Sequence, residues 1–143
     1  MSLAQIMTTR VVSVQMDDPL YTLQSLFNAT GFHHLLVVNE SELMGIISDR
    51  DLLKAVSPFI DTISEREKDR ATLDRKAHQI MTRDVITARP NDTIVKAVGI
   101  FNRNKISCLP VVDKFNRPVG MVSWRDILRY VEDMVNVKKQ RQA

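Results

Sequence analysis

The sequence predicts a mixed α+β fold: two βαββα repeats packed about a pseudo-twofold axis and joined by a charged helical linker. Three observations predict it. The stretch "IMTTRVVSV" at Ile6 to Val14 matches "IMTRDVITA" at Ile80 to Ala88, an offset of 74 residues. At that offset Asp18 meets Asp92, Phe27 meets Phe101, Asn28 meets Asn102, and "LLVV" from Leu35 meets "LPVV" from Leu109. After one inserted residue, "GIISDRDLL" at Gly45 to Leu53 meets "GMVSWRDIL" at Gly120 to Leu128. A solenoid needs about three repeats or more, so two copies in one register indicate a pair.

Each half begins with a short β-branched strand, Val11 to Val14 or Val85 to Thr87. A helix follows, with Asp18 as N-cap, Pro19 at the first helical position and Leu20, Leu23 and Phe27 on one face. Its second copy starts at Asp92 and places Ile94, Ala97, Val98 and Phe101 at i, i+3, i+4 and i+7. A hairpin comes next. Its strands are Leu35 to Val38 and Met44 to Ile47 in the first half, and Leu109 to Val112 and Val119 to Val122 in the second. The closing helix starts within the "GIISDRDLL" phrase and its counterpart, and in the second half carries Ile127, Leu128, Val131 and Val135 on one face. The boundaries are residues 1–56 for the first repeat, 57–79 for the linker, 80–137 for the second repeat and 138–143 for a basic tail. The linker has no Gly or Pro after Pro58. Its pairs Glu65 with Lys68 and Glu67 with Arg70 suit an exposed helix with a narrow Leu73, Ala77, Ile80 stripe, either a solvated connector or a contact helix.

With 143 residues, 44% of them hydrophobic and 26% charged, the chain has the composition of a soluble globular domain that needs no disulfide. Cys108 is the only cysteine and reads as a small buried hydrophobe. The net charge of +3 sits partly in Lys138, Lys139 and Arg141, which read as a frayed solvated end rather than a nucleic-acid stripe. No membrane-length apolar run and no signal-peptide core occur, so the cytoplasm is expected and no membrane partner is. Ser2 and Leu3 are assigned no role. Adjacent His33 and His34 on a strand face opposite ways, which argues against a metal centre. Met7 and Met81 read as core. Four glycines leave no phosphate loop, and no nucleophile–base pattern occurs, so no enzyme activity is expected.

Ser and Asp three residues apart admit two readings. One is a capping box, in which Ser48 accepts from the third helical N–H and Asp51 reaches back to the cap N–H. The other is an anion site: a helix start offers free N–H donors, a Ser hydroxyl and an Arg fork complete a phosphate cradle, and the acid binds a ribose diol. A capping box does not account for the Arg that precedes the acid in both copies, Arg50 and Arg125.

The doubled "IMT", "LPVV" and "G-[IM]-[IV]-S-x-R-D" pattern, from about Ile6 to Val135, resembles a tandem pair of cystathionine-β-synthase (CBS) domains, a Bateman module. The resemblance implies two clefts that take adenosine ligands, and pairs of modules that dimerise into a disk. It places a ribose-binding acid at Asp51 and Asp126, a phosphate-facing hydroxyl at Ser48 and Ser123, and a phosphate-facing cation at Arg50 and Arg125. It places base-bordering residues at Ser13 and Thr87 on the first strands. Base-lining residues fall at Phe32 and His33 in one half and at Ile106 and Ser107 in the other. The implied regulatory ligand is AMP, ADP or ATP, with S-adenosylmethionine or NAD(H) as further candidates, and no catalytic cofactor. Output would pass to a separate effector protein from a homodimer. The rival reading is a protein-interaction module with empty clefts. The copies differ at Asp49 against Trp124. A cleft-facing Asp49 would oppose phosphate and a solvent-facing one would matter little, so the Ser123, Arg125, Asp126 site is the favoured one, while Trp124 reads equally as a dimer-face aromatic.

Overall fold

A computed structural model describes residues 1–142. The chain forms two compact units, one of residues 12–85 and one of residues 1–11 with 86–142.

In the unit of residues 12–85, β1 (Ser13–Gln15) leads into α1 (Leu20–Thr30), then β2 (His34–Asn39), β3 (Glu42–Ser48) and α2 (Asp49–Ala55). The sheet order is β1-β2-β3, with β1 parallel and β3 antiparallel to β2. The hairpin turn places Glu40 and Ser41 both at positive φ, the geometry of a tight two-residue turn whose twist matches the strands. Leu20, Leu23 and Phe27 of α1 are buried against Leu35, Val37 and Ile47, as the helical spacing predicts.

The other unit repeats the pattern with α5 (Ile94–Arg103), β4 (Cys108–Val112), β5 (Pro118–Ser123) and α6 (Trp124–Gln142). Its expected first strand at Val85 to Thr87 shrinks to one parallel bridge, Ala88 with Val111. Pro110 supplies the reason. In the first repeat the Leu36 N–H donates to Val12 O at 3.0 Å. The residue at the position of Leu36 is Pro110, which has no N–H, so the matching rung cannot form.

The compact units exchange short stretches relative to the sequence repeats. Thr8 trades two backbone bonds with Met121, both 2.9 Å, and Thr82 does the same with Ile46 at 3.1 and 2.9 Å. Residues 1–11 therefore lie on the second repeat's sheet, and residues 77–85 on the first repeat's. The boundaries 1–56, 57–79 and 80–137 read from the sequence are cut differently: residues 1–11 go with the second repeat, and the linker and residues 80–85 with the first, because a repeat register reports equivalence and not spatial adjacency. Leu3, assigned no role from sequence, is fully buried in the second core cluster beside Ala88, Ile94 and Leu109.

Both helix caps shift by one residue. Asp18 and Asp92 do not cap α1 and α5. Their carboxylates accept from the N–H groups of Gln15 and Arg89, each at 2.8 Å, and close the preceding turns. Pro19 takes the cap position of α1, and Thr93 caps α5 by accepting from Lys96 N–H at 3.1 Å.

The linker is not one helix. It is broken into α3 (Glu67–Arg70), a 3-10 turn (Ala71–Asp74) and α4 (Ala77–Ile80). Asp69 is buried at 7% exposure inside α3 and fixes where that helix begins. Its carboxylate accepts from the Ser57 hydroxyl and the Arg66 N–H, both 2.8 Å, while the Thr72 hydroxyl donates to its carbonyl at 2.6 Å. Such side-chain bonds compete with a continuous helical ladder. Arg70 pairs with Asp61 and Glu65, at 2.8 and 2.7 Å, in place of Glu67.

The basic end is helical up to Gln142, with Lys138, Lys139 and Arg141 exposed on the helix; Ala143 lies outside the described residues. Only Ile127 of the expected stripe packs inward, joined by Tyr130. Leu128, Val131 and Val135 are exposed. Among the described residues no helix is long and apolar enough to cross a membrane.

Candidate functional site

Strand register gathers the predicted residues at one end of each sheet. In the first repeat His34 pairs with Ser48, and the Asp49 N–H donates to His33 O at 2.9 Å, so Phe32 and His33 lie beside the start of α2. Ser13 begins the parallel neighbour β1 at the same end of the sheet. In the second repeat Cys108 pairs with Ser123, which sets Ile106 and Ser107 beside the start of α6, with Thr87 just before the Ala88 bridge.

Both Ser/Asp pairs form capping boxes. Asp51 N–H donates to Ser48 Oγ at 3.0 Å and Ser48 N–H donates to Asp51 Oδ2 at 2.9 Å. In the second copy Ser123 N–H donates to Asp126 Oδ2 at 2.8 Å, the Ser123 hydroxyl donates to the same oxygen at 3.2 Å, and the return bond from Asp126 N–H lengthens to 3.4 Å. Each acid thus commits Oδ2 to its cap and keeps Oδ1 on the other side. Arg129 approaches Asp126 Oδ1 at 3.7 Å. Asp126, 8% exposed, also lines a cavity of about 340 Å³ with Ile6, Arg129, Tyr130 and Met134. Arg50 and Arg125 are exposed, and neither makes an ion pair among the described residues.

Two contacts were not legible in the sequence. Asp49 Oδ2 lies 2.8 Å from His33 Nδ1, and that hydrogen bond holds the Asp49 carboxyl below the usual range. The acid expected to oppose a phosphate is therefore engaged with a residue expected to line the base. On the other copy, Trp124 stands edge-on to Phe101, with ring centroids 6.5 Å apart. Burial pushes the Cys108 thiol up to about 12, and the Asp126 charge adds to the rise, so it stays protonated.

The units also differ in charge. Residues 12–85 carry eight Lys and Arg against twelve Asp and Glu, a net −4; the remainder carries twelve against five, a net +7. The overall +3 conceals this division, and the Ser123, Arg125, Asp126 set lies in the basic unit.

Titration of this region sets an acid limit on stability. His34 is held below its usual 6.5, mainly by burial. The carboxyls of Asp49, Asp69, Asp92 and Asp113 are held low by hydrogen bonds. A depressed histidine loses folding stability as pH falls below its unfolded value of about 6.5. Depressed carboxylates contribute stability above about pH 4 and lose it as pH falls through their folded values. Urea melts at pH 7.5, 5.5 and 3.5 are expected to show a first decline between the upper two values and a steeper one below. His34→Gln should remove most of the first; an unchanged first step in that variant would contradict the assignment.

A family model described as the CBS domain matches residues 3–58 and 77–133. The chain is 36% identical over 131 residues to a homoserine O-acetyltransferase of Methanococcoides burtonii, spanning 91% of this chain but 24% of that enzyme. It is 33% identical to a CBS domain-containing protein of Dictyostelium discoideum, over 87% of this chain and 86% of that one. In structure it resembles the CBS domain pair of protein MJ0100, in complex with 5′-methylthioadenosine and S-adenosyl-L-methionine, with a TM-score of 0.76, 25% identity and coverage of 94% and 98%. It also resembles protein MJ1225 of Methanocaldococcus jannaschii, with a TM-score of 0.78, 30% identity and coverage of 91% and 47%. The chain belongs to the CBS domain family, as a tandem CBS pair.

Proposed function

We propose that this protein is a regulatory module that senses adenosine ligands and passes the signal to a separate effector. The observation that carries the reading is the duplicated helix start. In both copies a Ser hydroxyl, an Arg without an ion pair among the described residues and an acid whose Oδ1 is not used by the cap stand within one turn of a helix N-terminus, Asp126 Oδ1 having Arg129 at 3.7 Å. The acid's Oδ1 accepts from a ribose diol, and the Ser, the Arg and the helix N–H groups receive a phosphate or another anionic group. Ser13 and Thr87 border the base, with Phe32, His33, Ile106 and Ser107 lining it. No step of catalysis is assigned, and the ligand acts through its differential affinity for two states of the protein. The MJ0100 complex supports an adenosine ligand, and the net +7 of the second-repeat unit favours that site for phosphate-bearing ones. The exposed Trp124, Leu128, Val131 and Val135 of α6 support assembly as a homodimer.

Calorimetry and thermal shift with AMP, ADP, ATP, S-adenosylmethionine, 5′-methylthioadenosine and NADH test the reading. At least one is expected to bind saturably. Asp126→Ala removes charged hydrogen bonds and should weaken binding by about tenfold to a hundredfold, more than Asp51→Ala does. No binding by any of the six, with both variants merely less stable, would leave capping as the whole role of these acids.

A further inference from the structure

The β4–β5 hairpin tip of the second repeat carries a second surface feature that the nucleotide reading does not use. An open cavity of about 430 Å³ is lined by Arg89, Pro90, Asn91, Lys114, Phe115 and Arg117, with Asp113 at its base. Phe115 is 60% exposed, at the apex of the turn. Lys114 Nζ lies 5.0 Å from its ring centroid and the Arg117 guanidinium carbon 4.8 Å.

The tip is held in shape before anything binds. Asp113 Oδ1 accepts from the N–H groups of Phe115 and Arg117, at 2.9 and 3.0 Å, and Oδ2 accepts from Arg117 Nε at 2.9 Å. The one acid of the cavity is thus consumed internally. Arg89, on the facing loop, has its turn fixed by Asp92. Three cations against one committed carboxylate leave the surface basic around an exposed aromatic ring. The matching tip of the first repeat, Asn39 to Glu42, has two exposed acids and no aromatic residue.

We infer that this tip is the docking surface for an acidic peptide segment of a partner protein. The inference deepens the proposed signalling role, and rests on it for the existence of a partner. Charge complementarity selects the chemistry, and an exposed aromatic beside arginine side chains is a residue set enriched at protein interfaces. The preformed loop lowers the ordering cost. A stacked nucleobase would compete for the Phe115 ring with two cations that already lie within 5.0 Å of its centroid. Carboxylates pair with those cations where they stand.

The test is fluorescence anisotropy with a labelled peptide, EEWDEEWDEEWD, on the full chain without nucleotide, at about 50 mM and about 300 mM salt. Saturable binding that weakens with salt is expected, with a loss of about tenfold or more in Phe115→Ala and in Arg89→Glu or Lys114→Glu. Asp126→Ala should bind the peptide as the wild type does, so failure here and failure of the nucleotide reading are distinguishable. Absence of saturable binding, or undiminished binding by Phe115→Ala, overturns the inference. Tighter binding of an oligo-dT probe through the same residues would assign the surface to nucleic acid instead. Salt-sensitive self-association abolished by Lys114→Glu would assign it to a second copy.

Discussion

Replacing Gly45 by valine is expected to destabilise the protein by about 3 kcal/mol, a fall in Tm of roughly 10 °C. A Cβ built on Gly45 would lie 2.5 Å from Met81 Sδ and 2.9 Å from Thr82 O. The thioether can move aside at small cost. The carbonyl cannot, because the Ile46 N–H holds it at 3.1 Å in the bridge that fastens residues 77–85 to the first repeat's sheet. Valine forces that segment off the strand, or forces the strand to bend. Combining the change with Met81→Ala should therefore restore little. Gly31→Ala is the control: nothing lies within 4 Å of its Cβ, and only the φ of +70° is strained, so a loss of about 1 kcal/mol is expected. Thermal melts of the four proteins decide it; a Gly45→Val melt within 2 °C of wild type would remove the close approach as the reason for this glycine.

The same glycine explains what the sequence could and could not disclose. Its recurrence at Gly120, where a Cβ would lie 2.5 Å from Met7 Sδ, was visible as a repeat match, as were the methionines. That each methionine meets the other repeat's glycine was not visible, since chain order places Met7 beside Val11 and not beside Met121. The hairpins were legible because β2 and β4 are buried in continuous runs, their partners β3 and β5 alternate, and the turns between them are polar. The missing strand at Val85 to Thr87 had a readable signal in Pro110, whose absent N–H removes a rung. The linker misled because charged residues at helical spacing score alike whether they are solvated or, like Asp69, buried with their side chains bonded to the backbone and to Ser57. At the candidate site, Ser48, Asp51, Ser123 and Asp126 were legible because a cap spacing is local. The His33 to Asp49 contact spans 16 residues and depends on the β2–β3 register, which periodicity does not supply.

Leu3→Ala is expected to cost about 3 kcal/mol, as large as a change in the middle of a domain core, although the residue stands third in the chain. A residue so near a terminus ordinarily frays and tolerates substitution. Here Leu3 is 0% exposed and packs among Ala88, Ile94, Ala97, Leu109 and Val111. Its N–H donates to Asp92 O and that of Ala4 to Pro90 O, both at 2.9 Å, so the segment is tied down on both sides of the side chain. Its repeat counterpart Ala77 is equally buried, in the other core cluster, and is smaller. The two positions are therefore filled to different volumes, and truncating the leucine would leave a cavity among those buried residues. Leu3→Met should cost under about 1.5 kcal/mol, because volume is nearly kept. Denaturant melts measure the difference. Hydrogen exchange locates it: lost protection should fall on residues 86–142 and spare residues 12–85. A Leu3→Ala protein as stable as the wild type, or protection lost evenly across both units, would show that the N-terminal segment is an ornament on the second repeat rather than part of its core.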